Sequence, residues 1–211
     1  MTESMKKRNR LLAERMIKAL ESRNMEAFYA ETKEDALKKA LELIPEGSSI
    51  SWGGSMSIQE IGLTDAVKSG KYQVYERAAA KNPKEKRKIE LQAFDCDFFL
   101  ASSNAITEDG ILVNIDGNAN RVAAIAYGPR NVLMIIGMNK VVRGQEEALS
   151  RAKYTAAPAN AQRFSGTPCT VTGECAHCKS PECICCQTMI TRYSKVPKRI
   201  KVILVNEDLG Y

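Results

Sequence analysis

Apolar residues recur along the chain in two alternating patterns, one with helical spacing and one of short continuous runs. In residues 4–29 they recur every three to five positions, which predicts a helix. A second helix is predicted after the N-cap candidate Thr32, with Asp35 three residues on, and it ends at Pro45-Glu46-Gly47. Residues 1–45 are therefore expected to form N-terminal helices.

The rest of the chain continues this alternation. Helices are predicted at residues 56–70, 80–92 and 144–157, the last ending near Pro158. Strands are predicted at residues 48–52, 71–76, 96–102, 111–116, 131–138 and 199–211. Alternating strands and helices predict an α/β fold, a sheet with helices on its faces. A chain of 211 residues suits one well-buried core, so residues 1–211 are expected to form one domain.

Charge and hydropathy narrow the class of protein. The net charge is +6, and the basic excess lies in the N-terminal helix and in residues 192–201. Such a surface suits an anionic small ligand or an acidic partner. Nucleic acid is disfavoured, because aromatics are only 6% and do not interleave with basic residues. No apolar run reaches membrane-spanning length and no secretory signal is recognisable, so the cytoplasm is the expected compartment, without membrane association.

A glycine turn follows the predicted strand at 48–52. Gly53 and Gly54 allow close approach of a ligand to the backbone, and Ser55 and Ser57 add hydroxyl donors. This combination suits a phosphate or a carboxylate. A tight turn with a serine cap is the competing interpretation.

A second candidate site is the polar stretch 104–121, which follows a predicted buried strand. Ligand sites of open α/β sheets lie at the carboxyl ends of strands. Asp116 and Asp109 could act as a general base or bind ligand hydroxyls, and Asn104 and Arg121 could orient a carboxylate. Turn chemistry is the alternative, because Asn, Asp and Gly are also the residues that turns require.

Cysteine distribution is the strongest anomaly of the sequence. Six of the seven cysteines lie between Cys169 and Cys186. Clustered thiols in a chain of this kind indicate a metal site, either a tetrahedral structural zinc or a [4Fe–4S] cluster, and spacing does not choose between them. Free or disulfide-linked cysteines remain the third interpretation. His177, the only histidine, could replace one thiolate, whereas Cys96 is interpreted as a buried small hydrophobe.

Several of these motifs together resemble a known family. The segments WGGSMSIQEIGL, NAITEDGILVNIDGNANRVAAIAYGP, GMNKVV and PANAQRF, followed by the cysteine segment, are similar to the LUD-domain (lactate-utilisation) proteins. The resemblance covers residues 10–211. It implies a doubly wound α/β fold similar to the sugar-phosphate isomerase and CoA-transferase group, in which such a glycine turn holds a phosphate or carboxylate and an Asp/Asn-rich loop faces it.

Site residues follow from this resemblance position by position. Gly53, Gly54 and Ser55 match the turn, and Asn104, Asp109, Asn114 and Asp116 match the facing loop, with Arg121 as a further substrate-binding candidate. The LutC-like members lack the cysteine segment at 166–186, whereas a stand-alone subgroup has it. Matching that subgroup gives the expected metal ligands: Cys169, Cys175, Cys178 and Cys185.

Two main functional hypotheses result. In the first, the protein is an enzyme or redox subunit with a [4Fe–4S] cluster, acting on a small hydroxy or keto acid or a sugar-phosphate-like anion. Asp116, Asp109 and Asn104 are then the catalytic candidates. In the second, it is a non-catalytic accessory subunit with a structural zinc that docks onto a larger oxidoreductase. The family resemblance itself implies an iron–sulfur oxidoreductase partner. An isomerase with a purely structural cluster follows from fold analogy alone, and the fold group also suggests a homodimer.

Overall fold

A six-stranded parallel sheet forms the centre of the computed structural model, which describes residues 1–211. Its strand order is β1-β10-β7-β4-β2-β3. The strands are β1 (Glu26–Ala30), β2 (Ser49–Trp52), β3 (Gln73–Tyr75), β4 (Phe98–Ala101), β7 (Asn131–Gly137) and β10 (Ile200–Val205). The apolar run predicted at 131–138 is β7, which lies inside the sheet between β10 and β4. A strand covered on both faces is apolar throughout, as this one is.

A second, four-stranded sheet adjoins the first, in the order β8-β5-β6-β9. Its strands are β5 (Ala105–Thr107), β6 (Leu112–Asp116), β8 (Val141–Val142) and β9 (Gln187–Thr191). β5 and β6 form a hairpin that follows β4 directly along the chain. β9 pairs with β6 in antiparallel register, with Asp116 opposite Gln187.

Nine α-helices pack around the two sheets. They are α1 (Glu3–Ser22), α2 (Lys33–Leu43), α3 (Met56–Glu60), α4 (Leu63–Val67), α5 (Pro83–Gln92), α6 (Asn120–Ala126), α7 (Gln145–Arg151), α8 (Ala157–Ala161) and α9 (Cys169–Thr172). None of them combines the length and apolar character that crossing a bilayer requires.

Alternation along β7 divides the core between the two faces. Val132, Met134 and Ile136 pack with α1 and α6, and Leu133 and Ile135 pack with α2, α3 and α4. Successive side chains of a strand point to opposite faces, so one strand supplies both layers. The predicted α/β, doubly wound architecture is confirmed.

The N-terminal prediction was wrong in one element. The helix predicted to residue 29 ends at Ser22, and residues 26–30 form strand β1. Asn24 adopts a left-handed conformation (φ 64°), which ends the helix, and its side-chain amide donates to the Ser194 carbonyl at 2.7 Å. The strand at 49–52 is therefore the second of the fold. Thr32 does cap α2, as predicted, because its hydroxyl accepts the Asp35 N–H at 3.1 Å.

Two other helix predictions were corrected. The helix expected at 56–70 is two short helices, α3 and α4, separated at Gly62, whose φ of 76° breaks the helical path. The helix expected to end near Pro158 continues to Ala161. A π-helical turn at Ala152–Ala156 precedes Pro158, which then lies in the first turn of α8, where its missing N–H is tolerated.

Candidate functional site

The candidate site lies where three neighbouring parallel strands end. β2 leads into Gly54 and Ser55, β4 leads into Ser102–Asn104, and β7 leads through a short 3₁₀ turn to Lys140. All three ends line one cavity of about 450 Å³. Because β2, β4 and β7 are adjacent and parallel, their carboxyl ends meet at one edge of the sheet, the usual ligand position in open α/β folds.

The glycine turn contributes one wall of this cavity. A Cβ on Gly53 would lie 2.8 Å from the side chain of Arg121, so only glycine lets that arginine pass. Gly54 and Ser55 line the cavity, whereas Gly53 lies behind them against Arg121. The Ser55 hydroxyl oxygen is buried and has no hydrogen-bond partner. Since buried hydroxyls are normally satisfied, Ser55 is a candidate donor to a ligand.

A buried arginine connects the turn to the polar stretch. The Arg121 guanidinium, whose side chain is 13% exposed, hydrogen-bonds the Ile115 carbonyl and Asn104 Oδ1. Its Nε lies 3.6 Å from Asp116 Oδ2. Burial lowers the pKa of Arg121, and Asp116 opposes that shift. Arg121, Asp116 and Asn104 all line the cavity, as the sequence predicted for a common site.

Asp116 is held by the start of α6. Its Oδ2 accepts the backbone N–H groups of Arg121 and Val122, each at 3.2 Å, while Oδ1 takes no hydrogen bond from the protein. The carboxylate is therefore fixed in direction, with one oxygen left for a ligand or a proton. Asp116 ends β6 and Asn104 precedes β5, so the hairpin brings them to the same end of the small sheet.

Three predicted site residues lie outside the cavity lining: Gly53, which packs against Arg121, and two polar residues, Asp109 and Asn114. Asp109 is in the turn at the opposite end of the β5–β6 hairpin, 58% exposed, where it forms an ion pair with Arg23. Asn114 is buried beneath the site, where its Oδ1 accepts a hydrogen bond from the Ser103 hydroxyl at 3.0 Å. Asp109 therefore stabilises the hairpin turn and Asn114 the loop after β4.

The cavity wall is strongly basic. Five basic side chains line it against a single acidic side chain, that of Asp116. The basic residues are Arg77, Lys86, Arg121, Lys140 and Arg163. Like charges focused in one cleft favour a ligand of opposite sign. Arg77, Lys86, Lys140 and Arg163 were not among the residues predicted from sequence. Lys140 and Arg163 lie in the motifs GMNKVV and PANAQRF that carry the family resemblance, whereas no local pattern marked Arg77 and Lys86.

Lys140 is the least expected member of this wall. It is only 3% exposed, and its Nζ donates to Ser57 Oγ at 2.9 Å and to Ser102 Oγ at 3.2 Å. Burial, reinforced by the positive charge of Arg151, lowers the pKa of Lys140 to about 7. An amine with this pKa is partly unprotonated at neutral pH.

Stability should therefore depend on pH through Lys140. The folded protein releases this proton near pH 7, whereas an unfolded lysine keeps it to about pH 10.4. Between these values the unfolded chain binds more protons, so stability rises with pH. Urea unfolding measures this effect in wild type and in Lys140→Met. As pH rises through this window, the free energy of unfolding should increase by a few kcal/mol more in the wild type than in the variant. A difference that stays constant with pH would mean that Lys140 titrates normally.

The cysteine segment (residues 166–186) lies between α8 and β9 and contains the short helix α9 in an otherwise irregular stretch. The Ser180 hydroxyl donates to the Gly166 carbonyl at 3.0 Å and joins the first residue of the segment to its second half. All six cysteines in it are free. No three of the His, Cys, Asp and Glu side chains stand in a ready metal-binding arrangement.

Within this segment the later thiols form one group. Cys183 Sγ lies 3.3 Å from Cys185 Sγ, and Cys178 and Cys186 also interact with the Cys183 thiol. A hydrogen bond from the Cys185 backbone lowers the pKa of Cys183, and burial raises the pKa of Cys185 to about 12. Cys169 Sγ instead lies 3.1 Å from Thr167 Oγ1. The segment thus gathers soft sulfur donors, the type that zinc and iron–sulfur clusters require.

The chain's single histidine, His177, and its seventh cysteine, Cys96, both make their contacts outside the thiol group. The ring nitrogens of His177 lie 3.0 Å from Lys153 Nζ and 3.2 Å from the Tyr154 hydroxyl. Cys96 is fully buried, and burial raises its pKa to about 11, so the interpretation as a small hydrophobe is confirmed.

The cysteine segment adjoins the cavity. Ile184 lines the cavity itself, and its Cα would be 3.1 Å from a Cβ on Gly117. The pairing of β9 with β6 continues this contact, since Gln187 lies opposite Asp116. The pKa of the Cys186 thiol is raised, first by burial, then by Cys183, and then by the negative charge of Asp116. The anionic-ligand candidate site and the thiol group are therefore neighbours.

Comparison with known proteins adds a family and a fold. The crystal structure of a DUF162 family protein from Deinococcus radiodurans has a TM-score of 0.56 to this chain, at 11% sequence identity. The similarity covers 93% of this chain and 98% of that chain, so the fold is shared over nearly the whole length. The search of curated proteins gave no match. The family profile for the LUD domain matches residues 13–205, and the chain therefore belongs to the LUD-domain family.

Proposed function

We propose that the cavity binds a small anionic substrate, a hydroxy or keto acid or a sugar-phosphate-like compound. The observation that carries this proposal is the charge of the wall, five basic side chains against one acidic side chain. A volume of about 450 Å³ is within the usual range for small-molecule sites. The buried, unpartnered hydroxyl of Ser55 supplies a hydrogen-bond donor within the same wall.

Six residues of the wall then have a definite role. Arg121 and Ser55 bind the carboxylate or phosphate of the substrate, and Arg77 and Arg163, whose guanidinium nitrogens flank Gly54, add positive charge at the turn. Asn104 orients the substrate through its amide, because its Oδ1 is already occupied by Ile115 N–H and Arg121. Asp116 accepts a proton from the substrate hydroxyl at its free carboxylate oxygen.

We further propose that the cysteine segment holds a [4Fe–4S] cluster through Cys169, Cys175, Cys178 and Cys185. These residues match the donor pattern of the cysteine-containing LUD proteins, and soft thiolates suit iron–sulfur chemistry. When bound, such a cluster supplies one-electron transfer or Lewis acidity. The contact between Ile184 and the cavity supports a role beside the substrate, within a lactate-utilisation-like redox function that involves an iron–sulfur oxidoreductase partner.

Metal analysis tests the cluster directly. Protein purified without oxygen should absorb broadly in the visible range and contain about four iron and four sulfide per chain. A colourless protein with about one zinc would support the alternative, a structural zinc in an accessory subunit that docks onto a larger oxidoreductase. Protein that contains neither iron nor zinc would exclude a metal-binding role for the segment.

Asp116→Asn tests the catalytic assignment. Asparagine can still accept the N–H groups of Arg121 and Val122, so the fold should survive, whereas proton acceptance is lost. Turnover of a panel of 2-hydroxy acids with an artificial electron acceptor should fall by roughly 100-fold or more. Asp109→Asn, outside the cavity, is the matched control and should keep wild-type turnover. Unchanged turnover in Asp116→Asn would remove this residue from the mechanism.

A further inference from the structure

Lys140 differs from the other basic residues of the cavity in the position of its side chain. Arg77, Lys86 and Arg163 come from the peripheral elements, whereas Lys140 extends from the end of the central strand β7 to the floor of the cavity. Its amine is fixed by two hydroxyls from different elements, Ser57 of α3 and Ser102 after β4. This position gives the amine one defined direction rather than the freedom of a surface lysine.

No carboxylate pairs with this amine. Lys140 takes part in none of the ion pairs of the protein. The charged groups that face it are Arg151 of α7, Arg121 of α6 and Glu60 of α3, of which only Glu60 favours the ammonium form. An ammonium ion buried without a paired charge is costly, so the neutral amine is favoured there. A desolvated lysine beside other cations is the arrangement that makes an amine nucleophilic at neutral pH.

We propose that Lys140 is the amine nucleophile of this cavity and condenses with the carbonyl carbon of an anionic aldehyde or 2-keto acid bound there. The inference rests on the proposed anion site, because that site brings the carbonyl group to the amine. Lys140 Nζ attacks the carbonyl carbon, forming a C–N bond as the carbon–oxygen double bond opens to a carbinolamine. The carbinolamine then loses its oxygen as water, with both protons coming from the amine, and an imine remains.

The two serine hydroxyls suit this step. Ser57 Oγ and Ser102 Oγ are within hydrogen-bond distance of Nζ, so they can pass a proton between the nitrogen and the departing oxygen. The condensation requires no oxidant or reductant.

Reductive trapping tests the proposal. Full-length protein is incubated at pH about 7 with pyruvate, glyoxylate or glyceraldehyde 3-phosphate plus cyanoborohydride, which reduces an imine to a stable secondary amine. Peptide mass spectrometry then measures labelling at each lysine. Lys140 should be labelled at least about tenfold faster than Lys71, whose exposed amine is held protonated by Glu46. Lys140→Met, which has a side chain of similar length without an amine, should lose this adduct, and Lys71→Arg should retain it.

Calorimetry of the same three compounds, without cyanoborohydride, separates this inference from the anion site. Binding without labelling of Lys140 overturns the nucleophile and leaves the anion site standing. Absence of both binding and labelling overturns both. Binding together with preferential labelling of Lys140, suppressed by excess inorganic phosphate, supports both.

Discussion

Replacing Arg121 with methionine should lower the free energy of unfolding by about 3–5 kcal/mol, because it leaves the buried carboxylate of Asp116 without its charge partner. The Ile115 carbonyl and Asn104 Oδ1 would at the same time lose the hydrogen bonds that they accept from Arg121. For a chain of this size the loss corresponds to roughly 6–20 °C in Tm. Anion binding in the cavity should also disappear, since Arg121 is the most deeply placed arginine of its wall.

Arg130→Met is the matched control for this experiment. Arg130 also faces a carboxylate, with Nη1 3.4 Å from Asp97 Oδ1, but its side chain is 73% exposed. Exposed ion pairs contribute about 0–1 kcal/mol, so this variant should unfold close to wild type. Urea unfolding and calorimetric anion titration measure both effects. Equal stabilities of the two variants would contradict the structural role of Arg121.

Replacing Cys185 with serine should abolish binding of the proposed [4Fe–4S] cluster. A serine hydroxyl is a hard donor that stays protonated at neutral pH, so it does not replace a thiolate ligand. Iron content should fall from about four per chain to near zero, with loss of visible absorption. Cys186→Ser, at the neighbouring exposed thiol, is the control and should retain the metal. Retention of iron in Cys185→Ser would exclude Cys185 as a ligand.

A second pair of variants identifies the fourth ligand. The family resemblance favours Cys169, whereas the close contact of Cys183 with Cys185 makes Cys183 the competitor. Cys169→Ser should lose the metal and Cys183→Ser should keep it. The reverse result would assign the ligands to Cys175, Cys178, Cys183 and Cys185, all of which lie in the interacting thiol group.

Much of the candidate site was predictable, because its residues follow strand ends that periodicity alone locates. Gly54 and Ser55 follow β2, and Asn104 follows β4. Asp116 ends β6, and the hairpin that carries it turns back toward β4. What periodicity could not decide was which end of that hairpin faces the cavity. Asp109, equally polar and in the same stretch, lies at the other end.

The missed strand β1 has a different cause. Its only partner in the sheet is β10, which lies about 175 residues further along the chain. Its residues also continue the apolar spacing of α1 without interruption, so local sequence favours one long helix. The left-handed Asn24 and its hydrogen bond to Ser194 end the helix. That bond is a tertiary contact that no window of sequence contains.

By itself the sequence determined the class of fold, the family and the types of chemical group available, since these depend on periodicity, residue types and long motifs. It also marked the cysteine segment as a source of soft donors. Only the tertiary structure decided that this segment adjoins the cavity through Ile184 and that Arg77 and Arg163 converge on the glycine turn. It alone decided that Lys140 is buried without a carboxylate, because burial and charge pairing depend on residues brought together from distant parts of the chain.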